Sequence, residues 1–426
     1  MANYSNTSRP AYVWDGVNNQ WVPIGVGPHT HSVADMTNAV SNLGGSNIVN
    51  TTATSVPLTL TGAVSQTADL LDVKNSAGTV VANIDASGNF SAANYFVAGK
   101  NKIINGDFGV WQRGTSTTVT NGFCADRWVV AVDGTGGITT TQQSFTPGNT
   151  IAGYEPSFYL QSAVTSVGTS TTYFLSQRIE DVRTFAGQTV TLSFWAKADS
   201  VRSNVIYFRQ VFGTGGSADN YTTFPAVTYS TSWQRYSFTL AIPSVSGKTI
   251  GTGSYLEPNI RSTVTSGMNI QIWGVQVEAG SVATPFTTAS GTFQGELALC
   301  QRYYENNYPA GYAPGSDVHS VIDTGQTLWC AVATGGTAGS NRARGFAWPY
   351  KVTKRATPTS RSWDLLGNLT KYTAGDANGS QLTSNNSFDT YGSVQTNSIT
   401  SITFQTVTAS SSHIYAMVMW EVSAEL

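Results

Sequence analysis

Apolar residues in this chain mostly alternate with polar ones, the period of a half-buried strand. Segments of this kind include Val190-Thr191-Leu192-Ser193-Phe194-Trp195-Ala196, Arg235-Tyr236-Ser237-Phe238-Thr239-Leu240 and Asn269-Ile270-Gln271-Ile272-Trp273-Gly274-Val275-Gln276-Val277. With Trp128–Val132, Tyr173–Ile179 and Val205–Phe208 they make many short strands separated by Gly-rich turns, and residues 100–290 are expected to form a jelly-roll β-sandwich. Residues 291–426 begin with a short helical pattern over Gln294–Glu305. Strand candidates Thr327–Val332 and His413–Trp420 follow, and this span is expected to be a second β-sandwich.

The first hundred residues read differently. Tyr12–Gly16 and Trp21–Gly25 flank a turn and predict a hairpin within residues 1–28, too small to bury a core alone. In residues 29–99, Val33, Met36, Val40 and Leu43 recur at helical spacing and Gly44-Gly45 stops the pattern. Short strands are expected at Leu58–Thr61, Leu70–Val73, Thr79–Ile84 and Asn89–Ser91, with turns at Asn75–Gly78 and Asp85–Gly88. One short helix and a thin set of strands make a poor monomeric core. Three copies sharing one core would bury the helix stripe and remove the strand edges, so a homotrimeric stalk is expected. The fold class is therefore all-β: a trimeric fibre with an N-terminal segment, one short helix and β stalk, a jelly roll and a C-terminal tip.

Composition narrows the function. Of 426 residues only 11% are charged, yet the chain holds 11 Trp, 19 Tyr and 18 Phe. Disordered chains lack aromatics, so this one folds, with a surface made polar by hydroxyls and amides. A net charge of −2 gives no field to attract nucleic acid. No apolar run reaches the length of a membrane span, and Met1–Pro10 carries no secretory pattern. Cys124, Cys300 and Cys330 show no metal or redox spacing and read as reduced thiols of a protein made in a cytoplasm.

Several ordered motifs carry a resemblance. Asn101-Lys102-Ile103-Ile104-Asn105-Gly106-Asp107-Phe108-Gly109-Val110-Trp111-Gln112-Arg113-Gly114 is followed by Ala125-Asp126-Arg127-Trp128, Ser176-Gln177-Arg178-Ile179-Glu180 and Leu192-Ser193-Phe194-Trp195-Ala196-Lys197-Ala198. Val275–Gly280, Leu299-Cys300-Gln301-Arg302-Tyr303-Tyr304-Glu305, Trp348–Val352 and Ala424-Glu425-Leu426 continue the order. The series resembles the receptor-binding fibres of tailed bacteriophages, whose middle domain is similar to jelly-roll carbohydrate-binding modules. That resemblance implies a virion tail protein assembled in the host cytoplasm. Residues 1–28 would attach to the baseplate or another tail protein, and residues 291–426 would bind glycan on the bacterial surface, lipopolysaccharide O-antigen or capsule. A tail-spike polysaccharide depolymerase and a purely structural spacer carrying another adhesin are the alternatives.

Candidate chemistry follows from side-chain type. Sugar faces stack on aromatics while amides bind hydroxyls, so the expected ligand-binding residues are Tyr308, Tyr312, Trp363, Tyr372 and Tyr391, with Asn306, Asn307, Asn385 and Asn386 beside them. Packing into a core is the other reading of those aromatics. No catalytic residue is expected: Glu180 and Asp181 are adjacent, Asp126 reads as a partner of Arg127, and Asp317 and Asp323 are loop residues with no demanding spacing. There is no G-x-S-x-G or H-E-x-x-H motif. No cofactor is expected. The resemblance raises two metal readings, an axial ion held by His29 and His31 from three chains, or a structural calcium near Asp107 and Glu278; a solvated hinge and ordinary surface carboxylates are the alternatives.

Overall fold

The computed structural model describes residues 12–15, 20–23, 60–88, 90–92, 99–148, 150–151, 153–321, 330–331, 344–375, 383–387, 394–406 and 415–426. The chain divides into two compact units, Met1–Ser91 and Ala92–Leu426. The expected helix over Val33–Leu43 and the pair His29/His31 lie outside the described residues.

In the first unit β1 (Tyr12–Asp15) and β2 (Gln20–Pro23) form the expected hairpin, with Trp14 opposite Trp21. A separate sheet has the order β3 (Leu71–Lys74), β4 (Val80–Ile84), β5 (Phe90–Ala92). Its turns are built by the residues that predicted them. Asn75 accepts through Oδ1 from the amides of Ala77 and Thr79, and Asp85 accepts from Ser87 at 2.8 Å. The antiparallel register sets Leu71 opposite Ile84 and Val73 opposite Ala82, so the period of two gathers these four on one face; a register shift follows, and Val80 pairs with Lys74 instead. Leu71 and Val73 are exposed there, while Asp72 and Lys74 pair at 3.4 Å on the other face.

Strands β6 to β19 of the second unit are β6 (Ser116–Val119), β7 (Asn121–Phe123), β8 (Trp128–Val132), β9 (Gly137–Ser144), β10 (Phe158–Ser166), β11 (Thr172–Gln177), β12 (Ile179–Glu180), β13 (Thr189–Ala198), β14 (Arg202–Val211), β15 (Asn220–Thr223), β16 (Val227–Tyr229), β17 (Gln234–Ala241), β18 (Tyr255–Thr263) and β19 (Asn269–Ala279). They form two antiparallel sheets, a six-stranded one of order β17-β13-β19-β10-β9-β6 and an eight-stranded one of order β15-β14-β18-β11-β8-β7, to which β12 and β16 attach through β18 and β14. The chain crosses repeatedly from one sheet to the other, as in β13 to β14 and β18 to β19, which makes the unit a jelly-roll sandwich. Between the sheets lie Val190, Leu192 and Phe194 of β13, Ile270, Ile272, Val275 and Val277 of β19, and Trp128, Tyr173, Ile206 and Phe208 from the facing sheet. Each such side chain stabilises the fold by about 1.5–3 kcal/mol on burial.

Helix α1 (Phe293–Gln301) follows the sandwich; Thr292 caps it, accepting from the Gly295 amide at 3.1 Å. The expected helical stretch ends early, because Tyr304 and Glu305 enter β20 (Tyr304–Asn306), which pairs with β29. The tip strands are β21 (Cys330–Ala331), β22 (Arg344–Pro349), β23 (Thr359–Trp363), β24 (Lys371–Gly375), β25 (Thr383–Ser387), β26 (Val394–Asn397), β27 (Ser401–Thr406), β28 (Tyr415–Met417) and β29 (Met419–Ser423). They form three small antiparallel sheets, β20-β29-β23, β21-β28-β24-β25 and β22-β27-β26. Cys124 and Cys300 are free and buried, and burial pushes the Cys124 thiol up to about 12.

Candidate functional site

The ordered motifs converge, but on a structural seam. Asn105 adopts a left-handed backbone (φ 58°) that Asn tolerates well, and its side chain accepts from the Val110 amide at 2.9 Å and donates to the Val110 and Asp126 carbonyls. Gln177 brackets Ile104 with two hydrogen bonds of 2.8 and 2.7 Å. Glu296 of α1 accepts from the Asn105 and Ser290 amides at 2.7 and 2.6 Å. Across the seam, Glu425 pairs with both Arg113 and Arg127; the Arg113 guanidinium lies 3.5 Å from the Tyr304 ring centroid and that of Arg127 lies 3.4 Å from Tyr303. Asp126 does not pair with Arg127 as expected. It accepts from Gln112 and sits 3.7 Å from Arg113, while Arg127 is aimed at Glu425. In the tip, Lys354 and Glu305 form a fully buried pair at 2.6 Å. These residues hold the start of the sandwich, the helix and the tip together.

The outer side of the six-stranded sheet brings amides and aromatics together. Residues that alternate with the core ones point there. Register brings Thr141, Gln161, Gln271 and Lys197 into one cross-strand row over β9, β10, β19 and β13. A parallel row carries Gln143 opposite Tyr159 and, on the neighbouring strands, Trp273 opposite Trp195 opposite Arg235. Amides thus run beside aromatics.

The aromatic row is layered. Trp195 and Trp273, with centroids 5.2 Å apart, are buried beneath Phe286 and Tyr154. This covering explains why β13 is buried on both faces. Above them Tyr159, Phe145 and Trp233 form a triangle with centroid separations of 4.7 and 5.5 Å, and all three remain half-exposed. Burial raises the phenols of Tyr154 and Tyr159, which stay neutral donors. In the amide row Gln271 donates to Gln161 Oε1 at 2.9 Å, leaving its own Oε1 buried with no partner, as is Oδ1 of Asn269 on the same strand. Such orphaned acceptors are destabilising unless a donor arrives.

The tip residues expected to bind ligand sit elsewhere. Tyr308 and Trp363 are 8% and 7% exposed and pack edge to face at 6.0 Å in a core with Val318, Leu365, Met417 and Met419, against which Tyr312 also packs. Tyr308 and Trp363 are thus buried, while Tyr312 is partly exposed. Of Tyr372 the structure describes only the backbone, in β24, and Tyr391 lies outside the described residues. Asn306 and Asn307 are committed to the Gln112 and Val418 carbonyls at 2.7 and 3.0 Å; Asn385 and Asn386 lie in β25, whose side chains are not described.

The candidate carboxylates are engaged as well. Glu180 pairs with Arg302 at 3.1 Å, Asp181 with Arg183 at 3.1 Å, and Asp317 accepts from the His319 amide; Asp323 lies outside the described residues. Glu278 accepts from the Thr284 amide and hydroxyl at 2.9 and 2.7 Å and from Gln276 at 2.6 Å, with Lys100 at 3.5 Å. Asp107, whose carboxyl is raised by burial and by Glu296, bends back to the Gly109 amide. Among the described residues no cluster of three or more His, Cys, Asp or Glu is placed to hold a metal ion.

No family model and no curated protein matches the chain. Among solved structures it is similar to the enzymatically active domain of bacteriophage CBA120 tailspike protein 4, at 18% identity over 42% of this chain and 22% of that one, with a TM-score of 0.27. It is also similar to TmCBM61 in complex with β-1,4-galactotriose, at 12% identity over 42% of this chain and 99% of that one (TM-score 0.26). The CBM22-2 xylan-binding domain of Paenibacillus barcinonensis Xyn10C is similar at 19% identity over 36% and 92% (TM-score 0.26). At scores this low it is the sheet order and register that establish the jelly-roll sandwich.

Proposed function

We propose that this chain is a tail-fibre subunit that binds glycan on a bacterial surface through the outer face of its six-stranded sheet, without cleaving it. One observation carries the reading: half-exposed Tyr159, Phe145 and Trp233 stand beside the Gln161–Gln271 pair, whose Oε1 acceptor on Gln271 has no partner. The apolar face of a pyranose stacks on such rings, and its hydroxyls donate to such an amide. This reading puts the binding site on the sandwich, whereas the sequence pointed to the tip. The fibre identity is supported by the ordered motifs, which build one seam; attachment to the virion through residues 1–28 is part of the same proposal.

A homotrimer fits the first unit, where Leu71 and Val73 are exposed side by side on one face of a small sheet. Three weak sites per fibre would gain effective affinity by about 10²–10⁴ through linkage alone.

The test is adsorption of the full-length protein to host cells and to immobilised host polysaccharide. Trp233→Ala and Tyr159→Ala are expected to lower binding at least tenfold while thermal unfolding stays close to wild type. Wild-type binding by both variants would overturn the site. Light scattering is expected to give three times the mass of one chain, and Leu71→Lys with Val73→Lys to reduce it; a stable wild-type monomer would overturn the trimer.

A further inference from the structure

The amide row ends in a cation. Lys197 is the cross-strand partner of Gln271, and its ammonium lies 5.5 Å from the centroid of Trp233. Directly opposed residues of this kind have Cβ atoms about 4.5–5.5 Å apart, so the orphaned Gln271 acceptor and the Lys197 charge can meet neighbouring groups of a single sugar. Arg235 adds positive charge at the aromatic row, with its guanidinium 4.8 Å from the Trp195 centroid, but its donors are taken by Ser193 Oγ and the carbonyls of Ala283 and Thr284.

Carboxylates near this face are already spoken for. Asp199 at the end of β13 is held by Arg202 at 2.8 Å and by the Asn269 amide at 2.9 Å. Glu278 is buried against Lys100 and Thr284. Glu155, in the loop before β10, accepts from the Gly148 amide at 2.8 Å. None of these is the cross-strand neighbour of Lys197, which is Gln271 on one side and the β17 end of the sheet on the other. The chain as a whole carries a net charge of −2, so this cationic edge is local and runs against the global balance.

We infer that the outer face takes an anionic glycan, a sugar carrying a carboxylate or phosphate beside a free hydroxyl, with Lys197 binding the anion, Gln271 Oε1 accepting from the hydroxyl and Trp233 stacking on the ring. This assignment rests on the glycan-binding reading and adds the charge of the ligand. An ammonium over a ring face is already desolvated on one side, which strengthens its attraction to an anion relative to a lysine in open water.

Matched ligands separate charge from sugar identity. The full-length protein is titrated with oligogalacturonate and its methyl ester, with alginate and carboxyl-reduced alginate, and with phosphomannan before and after phosphatase. At least one acidic member is expected to bind about tenfold more tightly than its neutral match, and that preference should fall as salt rises. The carboxylate and phosphate pairs tell the two anions apart. Lys197→Gln is expected to erase the preference, read as the ratio of acidic to neutral binding, and Lys197→Arg to keep most of it. Equal binding of the acidic and neutral members, or a preference that survives Lys197→Gln, overturns the proposal. Failure of every acidic member to bind also overturns the proposal, whereas no adsorption of the full-length protein to host polysaccharide, or unchanged binding by Trp233→Ala, makes the glycan-binding reading itself fail, an outcome distinct from loss of charge preference alone.

Discussion

Arg127 and Glu425 lie 298 residues apart in the chain and meet in an ion pair whose side chains are 2% and 5% exposed. Arg113 reaches the same carboxylate at 3.1 Å, so one acid anchors two guanidinium groups from the opening motif of the sandwich. Removing one member of a buried ionic group strands the others in a medium that solvates them poorly. Glu425→Gln should therefore destabilise the protein by about 3–5 kcal/mol. Asp181→Asn breaks a pair with Arg183 whose side chains are 48% and 62% exposed, and should change stability by about 1 kcal/mol or less. Urea denaturation of both variants at neutral pH makes the comparison, and equal losses would contradict the role given to the seam.

Asp126 gives the seam a pH dependence. Burial pushes its carboxyl up to about 6, against the opposing pull of Arg113 and of the Gln112 hydrogen bonds. An unfolded Asp titrates near 4, so between about pH 4 and 6 the native state holds a proton that the unfolded state has released. Stability from this group is thus present at the acid end, declines as pH rises through the window, and is level above it. Asp126→Asn should remove that decline. Unfolding free energies at pH 4, 5, 6 and 7 are the check, read as the difference between wild type and variant. A difference independent of pH would contradict the shift.

Much of the fold was legible because its elements are local. Alternation marked the strands of the sandwich, Asn75 and Asp85 announced their turns, and the β1–β2 hairpin followed from two apolar runs around a polar turn. The proposed binding face was not legible, because it is made by register. Tyr159, Gln161, Lys197 and Gln271 come from three strands and become neighbours only when β10, β19 and β13 pair. A signal was nonetheless present. Trp195 and Trp273 occupy the polar phase of their strands, where a large aromatic has no core to fill and must be covered or bind something. Packing was the other reading of the tip aromatics, and Tyr308 and Trp363 take it: they stand in polar-looking sequence but join a core with Val318, Leu365, Met417 and Met419.

Gly106 shows why the opening motif needs its glycine. A Cβ placed there would lie 2.2 Å from the Val275 carbonyl oxygen, and the Val275 amide donates to the Gly106 carbonyl at 2.9 Å. Backbone on both sides leaves no flexible group to yield. Gly106→Ala should destabilise by about 1–3 kcal/mol or more, as overpacking does. At Gly109 the nearest atom to an added Cβ is a carboxylate oxygen of Asp107 at 3.4 Å, an ordinary contact with a movable side chain. Gly109→Ala should therefore shift the melting temperature far less. Similar shifts for the two variants would show that β19 can move away from the motif.

Gln271 separates stability from recognition. Its Oε1 is buried without a donor, which burdens the free protein by about 1–3 kcal/mol, partly offset by the 2.9 Å bond from its amide to Gln161. Leu at this position removes the orphaned acceptor and keeps comparable volume beside Lys197 and Gln161. Gln271→Leu should then leave thermal stability unchanged or slightly raised while glycan affinity falls about tenfold, the equivalent of one lost hydrogen bond near 1.4 kcal/mol. Differential scanning calorimetry and glycan titration on the same preparation test both halves. A loss of stability would mean that the acceptor has a protein partner after all, and unchanged affinity would mean that the ligand does not reach this row. Opposite signs in the two measurements are what an acceptor held open for a ligand hydroxyl requires, because the group that weakens the empty face is the one that strengthens the occupied one.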